Sequence, residues 1–538
     1  MRPFRSRKRK RAPEPELKNQ PLVAEANRAS QENLLLSSSL AENLTTLQAI
    51  FVNCTDIGFR ELKIGQEQIP VLLLYVNGIA DEQTINQDIL QSLVKIRCLN
   101  LELLGSNNIE MIKNVFLETS DITEMSTIGE ITDAILTGSV ALLLEGTAKA
   151  LKIGTKGFVG RLVSEPVTEG VVRGPREGFT ESLRTNTALL RRKIKTSKLK
   201  LEKFVLGQTT KTEVNIAYLE GTANPKVVAE VKNRISLIDV DSVLESAYIE
   251  EMIEDEPFTV FPQIDHSERP DKIAAGVLQG QVAIFTDGTP FVLIVPTMMF
   301  QFLQSSEDYY DRSIYATSIR VVRFVFLNLA LLLPALYIAI TTFHRELLPT
   351  PLLISITAAR EGAPFPTVIE VLTMEVTFEA LREAGIRLPK PVGQAVSIVG
   401  GLVIGEAAVQ ASMVSPITVI IVALTGISSF GIPSYSYALA IRILRFGMIL
   451  LASTLGFYGV LLGLLVMQAH LVSLRSFGVP YFAPVAPFNL KDMKDSVMRV
   501  PWWAMGERPR LIAKNNNNNN RQRQKFFLKP AQPEEDEH

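Results

Sequence analysis

Four glutamates, Glu370, Glu375, Glu379 and Glu383, recur every four or five residues within a largely apolar run, residues 366–384. At 100° per residue the last three fall within about 80° of one another, so a helix here carries a stripe of carboxylates. Repeated around a symmetric oligomer, such acids become rings that favour cations over anions. Glu406 is the only charged residue between positions 391 and 441, and Gln410 lies four residues on, on the same helical face. Glu375, Glu379, Glu383, Glu406 and Gln410 are therefore the candidate ion-pathway residues. A second reading keeps the helix flat at a membrane interface, with Glu379 paired to Arg382 or Glu383 to Arg387, and nothing passing it.

Other chemistry lacks its motifs. There is no phosphate-binding glycine loop, no GxSxG and no HExxH, and His266, His344, His470 and His538 are scattered. Cys54 and Cys98 have neither CxxC spacing nor nearby histidines and read as reduced thiols. No catalysis, metal or cofactor is expected.

The elements that must position the acids are membrane helices. Residues 324–343, 391–405, 407–441 and 446–474 contain no Asp, Glu, Lys or Arg. Twenty such residues rise about 30 Å as a helix, the thickness of a bilayer's hydrocarbon core. Pro416, Gly431 and Pro433 divide the third stretch into a helix ending near Val414 and another ending near Phe430, while residues 446–472 suit one tilted helix. Gly401 with Gly405, and Gly459 with Gly463, have the GxxxG spacing of a close helix contact. Residues 347–359 are too short to cross and suit a re-entrant element. Arg312, Arg320 and Arg323 place the start of the first span on the cytoplasmic side. Four crossings plus a re-entrant or interfacial element put the basic C-terminal tail there too; a fifth crossing by residues 366–384 would move that tail outside. Trp502 and Trp503 suit an interfacial anchor.

The front of the chain reads differently. At 538 residues and net charge -1, more than one core is expected. Five Arg and two Lys among the first eleven residues, with no apolar run behind them, describe a basic tail rather than a secretory signal. It suits anionic lipid headgroups at about 1 kcal/mol per charge, non-specific attraction to nucleic acid, or simple solvation; no nucleic-acid partner is expected. Helical periods at residues 32–51, 81–94 and 128–136 and β-rich runs at 69–76, 139–144 and 149–153 give a small α/β subdomain. Breakers crowd residues 163–178, as in a linker. Helices at 179–193 and 225–237, strands at 199–206 and 213–219, and a hairpin through Asp287-Gly288 give a second. The expected fold is an α+β cytosolic region of two α/β subdomains followed by an α-helical polytopic membrane domain. The expected divisions are 1–30 tail, 31–162 subdomain, 163–178 linker, 179–315 subdomain, 316–475 transmembrane domain and 476–538 tail, with Asn515 to Asn520 as linker.

Long strings give the chain a family resemblance: DIGFRE from Asp56, VRGPREGF from Val172, DGTPFVLIVP from Asp287, EDYY from Glu307, LLLPALYIAITTFH from Leu331, LTMEVTFEALREAGIRLPKPVGQAVSIVGG from Leu372 and SLRSFGVPY from Ser473. It resembles the GerA-type spore germination family, the A subunits of nutrient germinant receptors. The resemblance implies a cytosolic amino-terminal region, a polytopic domain in the spore inner membrane, and assembly with a transporter-like B subunit and a lipoprotein C subunit. It also implies a homo-oligomeric channel that releases cations when germinant is sensed. The chain departs from the family pattern at Asn77, where an Asp is usual, and at Glu406 and Gln410, where acid and amide are exchanged. An ion-coupled secondary transporter, or a membrane-anchored scaffold with no conduction path, are the alternative functions; the first would need repeated halves in the membrane region.

Overall fold

The computed structural model describes residues 34–65, 68–96, 122–155, 164–166, 168–389, 400–401, 403–505 and 508–513. The basic tail, Cys98, most of residues 391–405 and the asparagine run lie outside them. The chain divides into two compact units, Met1–Gly160 with Ile194–Lys200, and Arg161–Lys193 with Leu201–His538.

The first unit is built on five antiparallel strands, β1 (Ile57–Ile64), β2 (Ile69–Val76), β3 (Ile122–Met125), β4 (Val140–Leu144) and β5 (Ala150–Ile153), in the order β1-β2-β4-β5-β3. The runs PVLLLYV and VALLL become the inner strands because helices cover the sheet and leave no face for alternating polar residues. Helix α1 (Leu40–Ile50) opens the unit, α2 spans residues 82–96 with a π-helical middle (Ile85–Leu90), and α3 is Ile128–Leu136. Ile85, Ile89 and Leu93 of α2 pack on Val71, Leu73, Leu142 and Leu144. Helix α3 starts where Thr127 and Glu130 cap each other's backbone, an arrangement whose loss costs about 1 kcal/mol.

The second unit begins with another mixed layer. Strands β6 (Leu199–Leu206), β7 (Thr212–Leu219), β8 (Asp265–Ser267), β9 (Val282–Thr286) and β10 (Val292–Val295) lie in the order β6-β7-β9-β10-β8. Counted along the chain, both sheets run first, second, fourth, fifth, third. Each is preceded by a helix and interrupted by helices in the same two gaps: here α4 (Leu183–Lys193) comes first, α5 (Pro225–Ser236) and α6 (Ser246–Ile253) follow the second strand, and α7 (Pro270–Gln279) follows the third. One sheet topology is used twice. Both fourth-to-fifth strand turns hold a glycine at positive φ, Gly146 at 81° and Gly288 at 89°, and the Asp287-Gly288 hairpin pairs Leu293 with Ile284.

The expected helices at 32–51 and 179–193 start later, at Leu40 and Leu183, because their leading residues form the caps and turns before them. Strands β1, β3 and β8 and helices α6 and α7 carried too short or too mixed a pattern to be read. The breaker-rich residues before α4 are pinned: Arg269 donates to the carbonyls of Glu169 (3.1 Å) and Pro175 (3.0 Å), and Lys272 pairs with Glu169.

Beyond Ser306–Tyr309, a short 3-10 turn, come the long helices: α8 (Ser313–Thr342), α9 (Thr350–Arg360), α10 (Thr367–Arg387), a helical stretch at residues 403–410, α11 (Pro416–Phe430) and α12 (Tyr435–Ser473). Among the described residues, α8 and α12 are long and apolar enough to cross a membrane, and α11 is a shorter apolar helix. The helix expected to end near Val414 stops at Gln410, and a turn leads to the Ser415 cap of α11.

Helix α12 corrects the expectation of a single tilted rod over residues 446–472. Gly456 sits at φ 59°, ψ −137°, which breaks the helix. Tyr437 and His470 both stack on Phe261, with centroids 6.0 and 6.2 Å away, whereas a straight helix would separate them by about 50 Å. The chain therefore turns back at Gly456, beside Phe343 and His344 at the far end of α8. Helix α10 runs the length of the bundle: near its start Glu370 bonds Thr418, and near its end Arg382 bonds Ser429. The Gly456 turn returns the chain to the end of the bundle beside Phe261.

Candidate functional site

The acidic face of α10 is matched by arginines. Glu370 is buried, accepts from Ser415 N (3.1 Å) and Thr418 Oγ1 (3.0 Å), and faces Arg360 at 3.5 Å. One turn and a half on, Glu375 lies 3.2 Å from Arg445 of α12, and both side chains are 0% exposed. No hydrogen bond of regular geometry joins them, so charge alone holds the pair. Glu379 bridges Arg382 (3.2 Å) and Arg442 (3.3 Å) and is about one-third exposed. Arg382 is also sandwiched by Phe378 and Phe430, with its guanidinium 5.1 and 5.0 Å from the ring centroids. Glu383 forms an exposed pair with Arg387 at 2.6 Å.

The structure thus brings Glu370, Glu375 and Glu379 into one buried column with Arg360, Arg382, Arg442 and Arg445, and leaves Glu383 outside it. Both pairings weighed from sequence, Glu379 with Arg382 and Glu383 with Arg387, are present. Sequence reasoning treated Arg442 and Arg445 as residues flanking a span; they sit inside α12, buried. Only their three-residue spacing, which puts both on one face of a helix, hinted at it.

Glu406 and Gln410 stand apart from the column. Both are exposed, and the Gln410 amide donates to the Glu406 carboxylate at 3.0 Å. Of the four glycines, Gly459 and Gly463 face the first arm of α12: a Cβ at Gly459 would strike the Leu451 carbonyl, and one at Gly463 would lie 2.5 Å from the Met448 sulfur. Gly405 is buried near Val419, and nothing lies within 4 Å of a Cβ at Gly401.

A second charged knot anchors the foot of α8. Buried Asp308 holds Arg320 (2.9 Å) and Arg323 (2.8 Å), and Arg320 also pairs with Asp495 at 3.0 Å. Trp502 lies beside it, 5.9 Å from the Tyr309 ring. Among the described residues no cluster of His, Cys, Asp and Glu is arranged to hold a metal ion. Cys54 is a buried thiol outside any disulfide, and its Sγ donates to the Leu199 carbonyl at 3.5 Å.

A duplicated α/β topology followed by a bundle with two helices long and apolar enough to cross a membrane is the architecture that holds this charge column. The family described as Bacillus/Clostridium GerA spore germination protein matches residues 45–511. Spore germination protein KA of Bacillus subtilis is 46% identical over 482 residues, 89% of this chain and 88% of that protein. The B. subtilis protein named uncharacterized membrane protein YfkQ is 46% identical over 88% of this chain and 91% of its own length, and spore germination protein GerLA of Bacillus cereus is 36% identical over 89% and 96%. The N-terminal domain of the A subunit of the Bacillus megaterium germinant receptor GerK3, a crystal structure, covers 50% of this chain and 98% of that chain at 34% identity, with a TM-score of 0.37. The chain belongs to the GerA spore germination family.

Proposed function

We propose that this chain is a membrane subunit of a spore germinant receptor that assembles as a homo-oligomer and conducts cations when the receptor senses its germinant. The observation that carries the reading is Glu406, an exposed carboxylate beside exposed Val403 and Ile404 whose one hydrogen-bond partner among the described residues is Gln410. A carboxylate facing lipid costs on the order of 3 kcal/mol at the bilayer centre. The face that bears it is better placed toward water walled off by further copies, where each Glu406 repeats as a ring. Glu383 and the exposed third of Glu379 would add to the same wet surface.

On this reading the conformation described is closed. Glu375 and Glu379 are held by three guanidinium groups and present little negative field, so opening must slide α10 against α12. The two sheets would be the cytosolic subdomains of residues 31–162 and 179–315, and residues 316–475 the domain in the spore inner membrane. The Gly456 turn would keep the C-terminal tail on the cytoplasmic side even with α10 crossing. Assembly with a transporter-like B subunit and a lipoprotein C subunit follows from the family's organisation, and the basic tail would meet anionic lipid.

The test is conductance of the assembled receptor in planar bilayers. Glu406→Gln and Glu383→Gln are expected to lower cation conductance or cation preference. Unchanged currents in both would refute the proposed path. Absence of any current from wild-type receptor would leave a scaffold, and fixed stoichiometric coupling to a solute gradient would mean a transporter.

A further inference from the structure

Away from the charge column, a cavity of about 420 Å³ opens in the second unit between α7, the connector leading into α8, and the C-terminal segment. This volume lies within the usual range of small-molecule sites, roughly 300–1,000 Å³. Three aromatic side chains, Tyr309, Tyr310 and Trp502, line it. Asp271 lines it as well and is 8% exposed. Its Oδ2 accepts from Arg269 (2.7 Å) and from the Tyr310 hydroxyl, but its buried Oδ1 has no partner among the described residues. A buried carboxylate oxygen without a donor is unfavourable, so its position calls for one.

The charges around the cavity sort the donors. Asp265 and Glu169 hold Lys272 at 3.0 and 3.1 Å, Asp271 holds Arg269, and Arg508 donates to the Leu278 carbonyl. Three acids and three bases cancel, and the lysine is already spent on two carboxylates. A cationic or anionic ligand would add a net charge the walls do not balance, and a zwitterion would bring a carboxylate for which no uncommitted cation is seen. A neutral molecule with hydroxyl donors needs neither. Its hydroxyls would meet Asp271 Oδ1, Gln279 and Ser306, and its C–H faces would lie against the aromatic rings.

We propose that this cavity binds a small neutral polyol. The site stands independently of the conduction reading, since its geometry is complete within the soluble end of the unit. It adjoins the foot of α8: the Tyr309 hydroxyl bonds Gln304 (3.1 Å) and Asp495 (3.0 Å), and the next residue back, Asp308, grips Arg320 and Arg323. A bound polyol would therefore stiffen the joint from which α8 springs.

Trp502 lines the cavity, so its emission reports from this site. The experiment titrates the full-length protein in detergent with myo-inositol, with alanine as the zwitterion and phosphate as the anion. Emission and calorimetric heat are both followed. A saturable response to myo-inositol alone is expected. Asp271→Asn should weaken it about tenfold or more, the scale of one hydrogen bond to a charged group. Because that change also strips Arg269 of its partner, Ala275→Phe is the second variant: Ala275 is an exposed residue at the cavity wall, and the larger ring should abolish binding without touching the core. No saturable response to myo-inositol, an unchanged response in Ala275→Phe, or binding of alanine or phosphate in its place would overturn the proposal.

Discussion

Replacing Glu375 by Gln should cost the folded helical bundle about 3–5 kcal/mol, and the same replacement should be nearly harmless once Arg445 is also removed. The two side chains are 3.2 Å apart and 0% exposed. At an effective dielectric of 20, opposite unit charges at that distance attract by 332/(20 × 3.2), or about 5 kcal/mol. The variant deletes that attraction and leaves three guanidinium groups, Arg382, Arg442 and Arg445, facing the single carboxylate of Glu379. A buried pair broken on one side typically loses 3–5 kcal/mol, whereas an apolar replacement of both partners is often neutral. The assay is a double-mutant cycle on Glu375→Gln and Arg445→Met, read from unfolding of the detergent-solubilised protein with matched detergent and protein concentration. A large fall in the single Glu375→Gln variant and recovery to within about 1 kcal/mol of wild type in the double variant are expected. If the two losses simply add, the pair is not the contact that ties α10 to α12, and the argument that this conformation is latched shut fails.

Three further outcomes follow from the same geometry. Gly456→Leu should be destabilising by at least about 1–3 kcal/mol, since φ 59°, ψ −137° suits only glycine and a Cβ would lie 2.9 Å from His344; loss of a cysteine cross-link placed between positions 448 and 463 would show the two arms parting. Asp308→Asn should loosen the foot of α8 by about 3–5 kcal/mol, because it takes the buried acid from Arg323 and leaves Arg320 with Asp495 alone, and hydrogen exchange should rise first across residues 306–323. Burial, with Glu254, Asp265 and Glu245 nearby, pushes the Glu250 carboxyl up from 4.5 to about 8. The folded state therefore keeps a proton that the unfolded chain gives up, so stability should decline as pH rises from about 4.5 to about 8 and level off above it. His266 faces the same carboxyl at 3.8 Å and would soften the slope when charged. Glu250→Gln should flatten the melting profile across that window; an unchanged slope would assign it to other groups.

Some of this molecule was open to reading from residue order. The runs at 69–76 and 139–144 have no reading other than buried strands, and Asp-Gly between two β-rich runs can hardly be anything but a hairpin, because few dipeptides accept the required positive φ. The helical period at 128–136 became α3 over those same residues. The duplication of the sheet did not show, since strand order is set by which edges meet and leaves little mark on the sequence within each strand. The same holds for Arg269, which reads as a surface charge yet is buried under the breaker-rich residues it binds.

In the helical part, composition alone determined that long uncharged stretches must be helices, because apolar surroundings offer backbone groups no partner but their own. The spacing of the glutamates likewise determined that they share a face. What they face was decided by the fold. Arg445 reaches Glu375 from 70 residues away because the first arm of α12 packs beside α8 and α10. Local periodicity fixes where a side chain points around its own axis. Which neighbour stands there depends on how separate helices pack, and that is a property of the assembled chain.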